Sequence, residues 1–112
     1  MDPREKRLAQ NEALYREVNE RVAEVAESHL LDSDEQLYQY FCECSNADCT
    51  LRVWLSLGEY EGVRRDPRRF FVAVGHELPE TEVVVERNER FWIMEKCGEA
   101  GEYVEELDPR SS

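Results

Sequence analysis

The stretch Gln36-Leu37-Tyr38-Gln39-Tyr40-Phe41-Cys42-Glu43-Cys44-Ser45-Asn46-Ala47-Asp48-Cys49-Thr50-Leu51-Arg52-Val53-Trp54-Leu55 decides how this chain folds. From Gln36 to Cys44 the residues alternate, with Leu37, Gln39, Phe41 and Glu43 on one face and Tyr38, Tyr40, Cys42 and Cys44 on the other. That period of two predicts an extended strand whose second face ends in two thiols. Ser45 to Asp48 is a compact polar link, and Thr50 to Leu55 returns as a second strand.

Downstream, Ser56-Leu57-Gly58-Glu59 fits a capping box, with Ser at the N-cap and Glu three residues on, and opens a short helix to about Arg64. Asp66-Pro67 stops it. Phe70 to Val74 predicts a third strand, Gly75-His76-Glu77-Leu78-Pro79 a loop, and Glu82 to Glu86 a fourth strand. Asn88-Glu89 turns the chain into Phe91 to Lys96, so the last two strands are expected to form a hairpin. After Gly98 the acidic segment Glu99 to Leu107 is expected to be helical until Asp108-Pro109 ends it.

Upstream, Asp2 is a good N-cap for a helix with Pro3 in its first turn, where the missing N–H is harmless. Leu8, Tyr15, Val18, Val22, Val25 and His29, widened by Leu14, recur at helical spacings and predict the core-facing stripe of a long amphipathic helix. Its outer face pairs Arg16 with Glu20, Glu17 with Arg21 and Arg21 with Glu24. A dimerising coiled coil, giving a homodimer through this N-terminal helix, is the alternative use of the stripe, for which the repeat is short. Asp32-Ser33-Asp34 reads as a turn. The predicted fold class is α+β: a small antiparallel sheet with a long N-terminal helix and a short inserted helix packed on it.

The chain has 112 residues, room for one domain, of which 41% are hydrophobic. Its 26 acidic and 14 basic residues leave a formal net charge of -12, which makes non-specific nucleic-acid binding unlikely. The charged start, Met1-Asp2-Pro3-Arg4-Glu5-Lys6-Arg7, leads into no apolar run, so neither a secretory signal nor a membrane anchor is expected and the location reads as cytoplasmic. A domain of this size buries only about 60–65% of its unfolded surface, so a staple would matter.

Cysteines at close spacing in a reducing compartment are more often metal ligands than disulfides. Cys42 and Cys44 share a strand face, and a tight turn brings Cys49 back beside them. Three thiolates suit zinc, whose structural sites are tetrahedral and need a fourth ligand. His76, Cys97 and His29 are the candidates. His76 is favoured because Gly75 leaves the loop free to aim the imidazole; Cys97 also ends a strand; His29 sits on the helix stripe, where a packed core role is the plainer reading. The segmentation is then residues 1–31 as the N-terminal amphipathic helix and residues 32–112 as a small α+β zinc-binding domain, one folding unit overall.

Phe41-Cys42-Glu43-Cys44, Cys49, Leu57-Gly58-Glu59-Tyr60-Glu61-Gly62-Val63-Arg64, Asp66-Pro67-Arg68-Arg69-Phe70 and Gly75-His76-Glu77 together resemble a group of small actinobacterial proteins. These carry a Cys-Glu-Cys-x4-Cys stretch, a Leu-x-x-Tyr-Glu-x-Val-Arg helix, a Pro-x-Arg-Phe segment and a Gly-His-Glu loop. The segment from Asn11 to Arg21 is similar to their leading helix. The resemblance implies Cys42, Cys44, Cys49 and His76 as the motif residues, places Cys97 outside the pattern, and names no activity. One departure is Val74, where the pattern has proline before Gly75.

Arg64, Arg65, Arg68 and Arg69, around a single Asp66, form the one basic patch. It is a candidate partner-binding surface through bidentate guanidinium contacts, against the plainer reading of a solvated helix end. The strand aromatics read as core, and no glycine-rich phosphate loop is present. No catalytic residues are assigned: three thiolates and an imidazole fill a zinc shell and leave no open position for water. The expected function is a small non-catalytic zinc-binding interaction or regulatory module with a protein partner and no membrane. A cysteine-based redox sensor is the alternative, and a nucleic-acid-binding module using the arginine patch a further one.

Overall fold

The computed structural model describes residues 1–27, 36–76 and 82–110; His29, the Asp32-Ser33-Asp34 turn and the loop residues Glu77, Leu78 and Pro79 lie outside them. In chain order the elements are α1 (Pro3–Glu27), β1 (Leu37–Phe41), β2 (Arg52–Ser56), α2 (Leu57–Arg64), β3 (Arg69–Val72), β4 (Glu82–Arg87), β5 (Trp92–Lys96) and α3 (Gly98–Glu106). The α+β class is as the sequence predicts, and so are both helix starts. Asp2 Oδ1 accepts the Glu5 amide at 2.7 Å. At α2, Ser56 and Glu59 exchange reciprocal capping bonds of 3.1 and 2.9 Å.

The strands form two antiparallel sheets rather than one: β1 with β2, and the order β3-β5-β4. Their junction is the continuation of β1. The Cys42 amide still donates to Leu51 O at 3.1 Å, but the next amide, Glu43, donates to Phe71 O at 3.0 Å in β3. Strand β1 therefore ends at Phe41 and not at Cys44, because the chain leaves one neighbour for another at the thiols. The core between the elements is aromatic: Tyr40 stacks on Tyr60 at 4.7 Å, and Phe71 meets both edge-on at 5.9 and 6.0 Å.

The inner face of α1 corrects the predicted stripe. Its buried residues are Ala9, Glu12, Ala13, Arg16, Asn19, Ala23 and Ala26, while Leu14 and Val25 are each 58% exposed. The true face is the predicted one displaced by one residue, about 100° around the helix axis. Alanines let the helix approach closely, and each of the three large polar residues among them has partners from distant sequence. Arg16 donates to Pro67 O at 2.6 Å and Val104 O at 2.7 Å, and its guanidinium lies 4.6 Å from the centre of the Phe70 ring. Glu12 pairs with Lys96, which also faces Glu82 at 3.6 Å, all with fully buried side chains. Asn19 bonds the backbone of β1. Burying a polar side chain is tolerable only with such partners, and a hydrophobic pattern has no access to them.

Candidate metal centre

The cluster is built on the junction of the two sheets. Cys42 and Cys44 lie on the segment that crosses from β2 to β3, with Cys42 1% and Cys44 4% exposed. A turn then returns the chain: the Asp48 amide donates to Asn46 Oδ1 at 2.9 Å and the Cys49 amide to Asn46 O at 3.1 Å, which presents a half-buried Cys49 to the other two. His76 comes from the turn after β3, closed by its amide on Ala73 O at 2.9 Å. Gly75 takes φ of 85° at the third position of this turn, a conformation that favours glycine, while Val74 occupies the position at which proline is common.

The ligand atoms of Cys42, Cys44, Cys49 and His76 all lie within 4.8 Å of one another. His76 Nδ1 is 3.8 Å from both Cys42 Sγ and Cys49 Sγ. Tetrahedral zinc with bonds of about 2.3 Å to sulfur and 2.0 Å to nitrogen sets S···S near ~3.8 Å and S···N near ~3.5 Å, so the four groups surround a volume compatible with one such ion. The Cys42 sulfur also accepts a backbone amide, that of Ala73 at 3.1 Å. Amides aimed at sulfur stabilise thiolates without a neighbouring cation, as partners of metal-bound sulfur do.

Proton sharing among the thiols follows from these contacts. The hydrogen bond from Cys42 holds the Cys44 thiol down to about 5, helped by His76 and the Asn46 amide. Donating that bond, together with burial, pushes Cys42 up, and burial raises Cys49. A bound cation would draw the remaining protons off the cluster.

Helix α1 grips the same loop. Tyr15 Oη donates toward the carbonyls of Asn46, Ala47 and Cys49 at 3.2, 2.9 and 3.1 Å, and Asn11 Nδ2 donates to Ser45 O at 2.9 Å. One turn on, Asn19 holds Phe41 O and Phe41 N, each at 2.8 Å, and Glu43 Oε2 at 2.9 Å. Glu43, between the two cysteines, is fully buried, and burial pushes its carboxyl up to about 7 against the opposing pull of Asn19 and the Arg16 and Arg64 guanidiniums. The sequence singles out none of these supporting residues as partners of the thiol loop. Only the position of Glu43, on the strand face opposite two buried thiols, hints that both faces are covered.

Cys97 is exposed and lies outside the cluster, its sulfur 3.7 Å from Glu95 O. Three of the four patch arginines are engaged within the chain. Arg64 is buried between Glu20 and Asp108, Arg68 meets Glu105 at 2.8 Å, and Arg69 meets Glu95 at 3.2 Å. Arg65 is exposed. No helix among the described residues is long and apolar enough to cross a membrane. No protein-family model, curated protein or solved structure matches the chain.

Proposed function

We propose that this protein is a small, non-catalytic zinc-binding module of the cytoplasm, in which Cys42, Cys44, Cys49 and His76 hold one structural Zn2+ and the stapled domain serves a protein partner. The observation that carries the reading is the convergence of three sulfurs and an imidazole within 4.8 Å at the seam between two sheets. The Ala73 amide on the Cys42 sulfur supports it further. Thiolate and imidazole donors favour zinc over hard cations such as magnesium or calcium, and four protein ligands complete its shell without an open position for substrate. The resemblance to the actinobacterial group implies the same four residues.

The ion would join three segments of the chain. Cys42 and Cys44 belong to the seam, Cys49 to the return turn and His76 to the turn after β3, so binding energy there is folding energy. The test is metal analysis of protein purified without a histidine tag. About one equivalent of zinc, reduced by Cys44→Ser, with a large fall in thermal stability on chelation, is expected. Less than about one-half equivalent, unchanged by Cys44→Ser, overturns the reading.

A further inference from the structure

We propose that the cluster is also a modification site: hydrogen peroxide, or a hydroperoxide like it, joins Cys44 to Cys49 in a disulfide that expels the metal and loosens the hold of the loop on α1. The proposal rests on the zinc reading above and names how that site is regulated.

Access and anchorage select the pair. Cys42 and Cys44 are almost wholly buried, whereas Cys49 is partly exposed, so an oxidant meets Cys49 first. Cys42 is fixed on two sides, its amide on Leu51 O and its sulfur under the Ala73 amide. Cys44 lies beyond the last bond of the seam, that of the Glu43 amide to Phe71 O, and with Cys49 it brackets a single turn. The two sulfurs are already within 4.8 Å, and a disulfide of about 2.05 Å asks for movement within that turn alone.

The chemistry balances with peroxide as the two-electron oxidant. The Cys49 thiolate attacks one peroxide oxygen, the O–O bond breaks, and hydroxide leaves, giving a sulfenic acid. The Cys44 thiolate then attacks that sulfur, the S–S bond forms, and the sulfenic oxygen departs as a second hydroxide. Two thiolates have been oxidised and one peroxide reduced, and only Cys42 and His76 remain as ligands, too few to retain zinc.

The consequence for α1 follows from what holds it. The single Tyr15 hydroxyl proton faces three carbonyls of the bracketed turn, including that of Cys49, and Asn11 binds Ser45 O. The rest of the buried helix face is alanine and the partnered side chains of Glu12, Arg16 and Asn19. Hydrogen bonds and ion pairs depend on register in a way that apolar burial does not. Drawing Cys49 toward Cys44 shifts the carbonyls that set that register.

The experiment uses the full chain carrying Cys97→Ser, loaded with zinc and treated with about one equivalent of hydrogen peroxide. Zinc release into a chromogenic chelator, peptide mapping of disulfides and amide exchange along α1 are followed together. Expected are release matched by a Cys44–Cys49 disulfide, exchange at residues 8–19 about ten-fold faster, and recovery with dithiothreitol and zinc. A loaded protein that keeps its zinc, forms a disulfide to Cys42 instead, or forms the expected disulfide with unchanged α1 exchange overturns this proposal and leaves the zinc site standing. A chain that takes up no zinc before peroxide is added overturns both.

Discussion

Replacing Lys96 by methionine removes a cation that two buried carboxylates face. Lys96 pairs with Glu12 and faces Glu82 at 3.6 Å, and none of the three side chains is more than 1% exposed. Burial already raises the Glu12 carboxyl well above its ordinary range, reinforced by Glu82 and opposed by Lys96. Without the ammonium, the Glu12 carboxylate loses its ion-pair partner in a buried setting and is driven to take up a proton. Breaking a buried pair by deleting one partner costs about 3–5 kcal/mol. For a chain of this length that is a fall in Tm of roughly 12–20 °C, at about 4 °C per kcal/mol.

The sign of the pH dependence follows from linkage. A carboxyl whose folded pKa is raised binds its proton more tightly in the folded state than in the unfolded one. Its stabilising contribution is full below the unfolded pKa and is lost as pH rises through the folded value. In Lys96→Met the shift is larger, so the variant should be weakest near pH 8 and recover most of its deficit near pH 5. Glu12→Gln, which leaves one carboxylate for one ammonium, should change stability by less than about 1 kcal/mol at pH 8 and flatten the pH profile. Thermal melts followed by circular dichroism, across pH 5 to 8 in zinc-containing buffer, read both. A Lys96→Met deficit below about 1 kcal/mol, or one constant over that range, would refute the reasoning.

Three other substitutions test the packing around the site. A Cβ on Gly101 would lie 2.8 Å from Lys96 O and 2.9 Å from Arg68 Nη1, so Gly101→Ala should destabilise by about 1–3 kcal/mol in urea unfolding. Gly62→Ala, whose Cβ meets nothing within 4 Å in the middle of α2, should instead stabilise by up to ~1 kcal/mol. Asn19→Leu keeps the volume but strips three hydrogen bonds from Phe41 and Glu43. A loss of about 2–4 kcal/mol is expected, with weaker zinc binding in competition titrations because the segment carrying Cys42 and Cys44 loses its support; unchanged zinc affinity would separate Asn19 from the site.

Residue order within the chain already determines a good deal. Alternation from Leu37 onward places Cys42 and Cys44 on one face, the polar link returns Cys49, and Gly75 marks a turn able to present His76; the four meet as that reading expects. The capping residues Asp2 and Ser56 act locally, within one helical turn, and are therefore legible without a fold. Tertiary structure alone decides three other things. The thiol-bearing segment passes from one sheet to another at Cys42 and Glu43, because the acceptor of the Glu43 amide lies 28 residues away at Phe71. The buried face of α1 is polar, because Lys96, Val104 and Phe41 supply its partners from distant sequence. Three arginines of the patch are taken up by ion pairs, Arg64 buried between Glu20 and Asp108, and the half-exposed Arg68 and Arg69 on Glu105 and Glu95. The physical reason is common to all three: a backbone period or a cap is fixed by neighbours in sequence, whereas the burial of a charge depends on which distant group arrives to meet it.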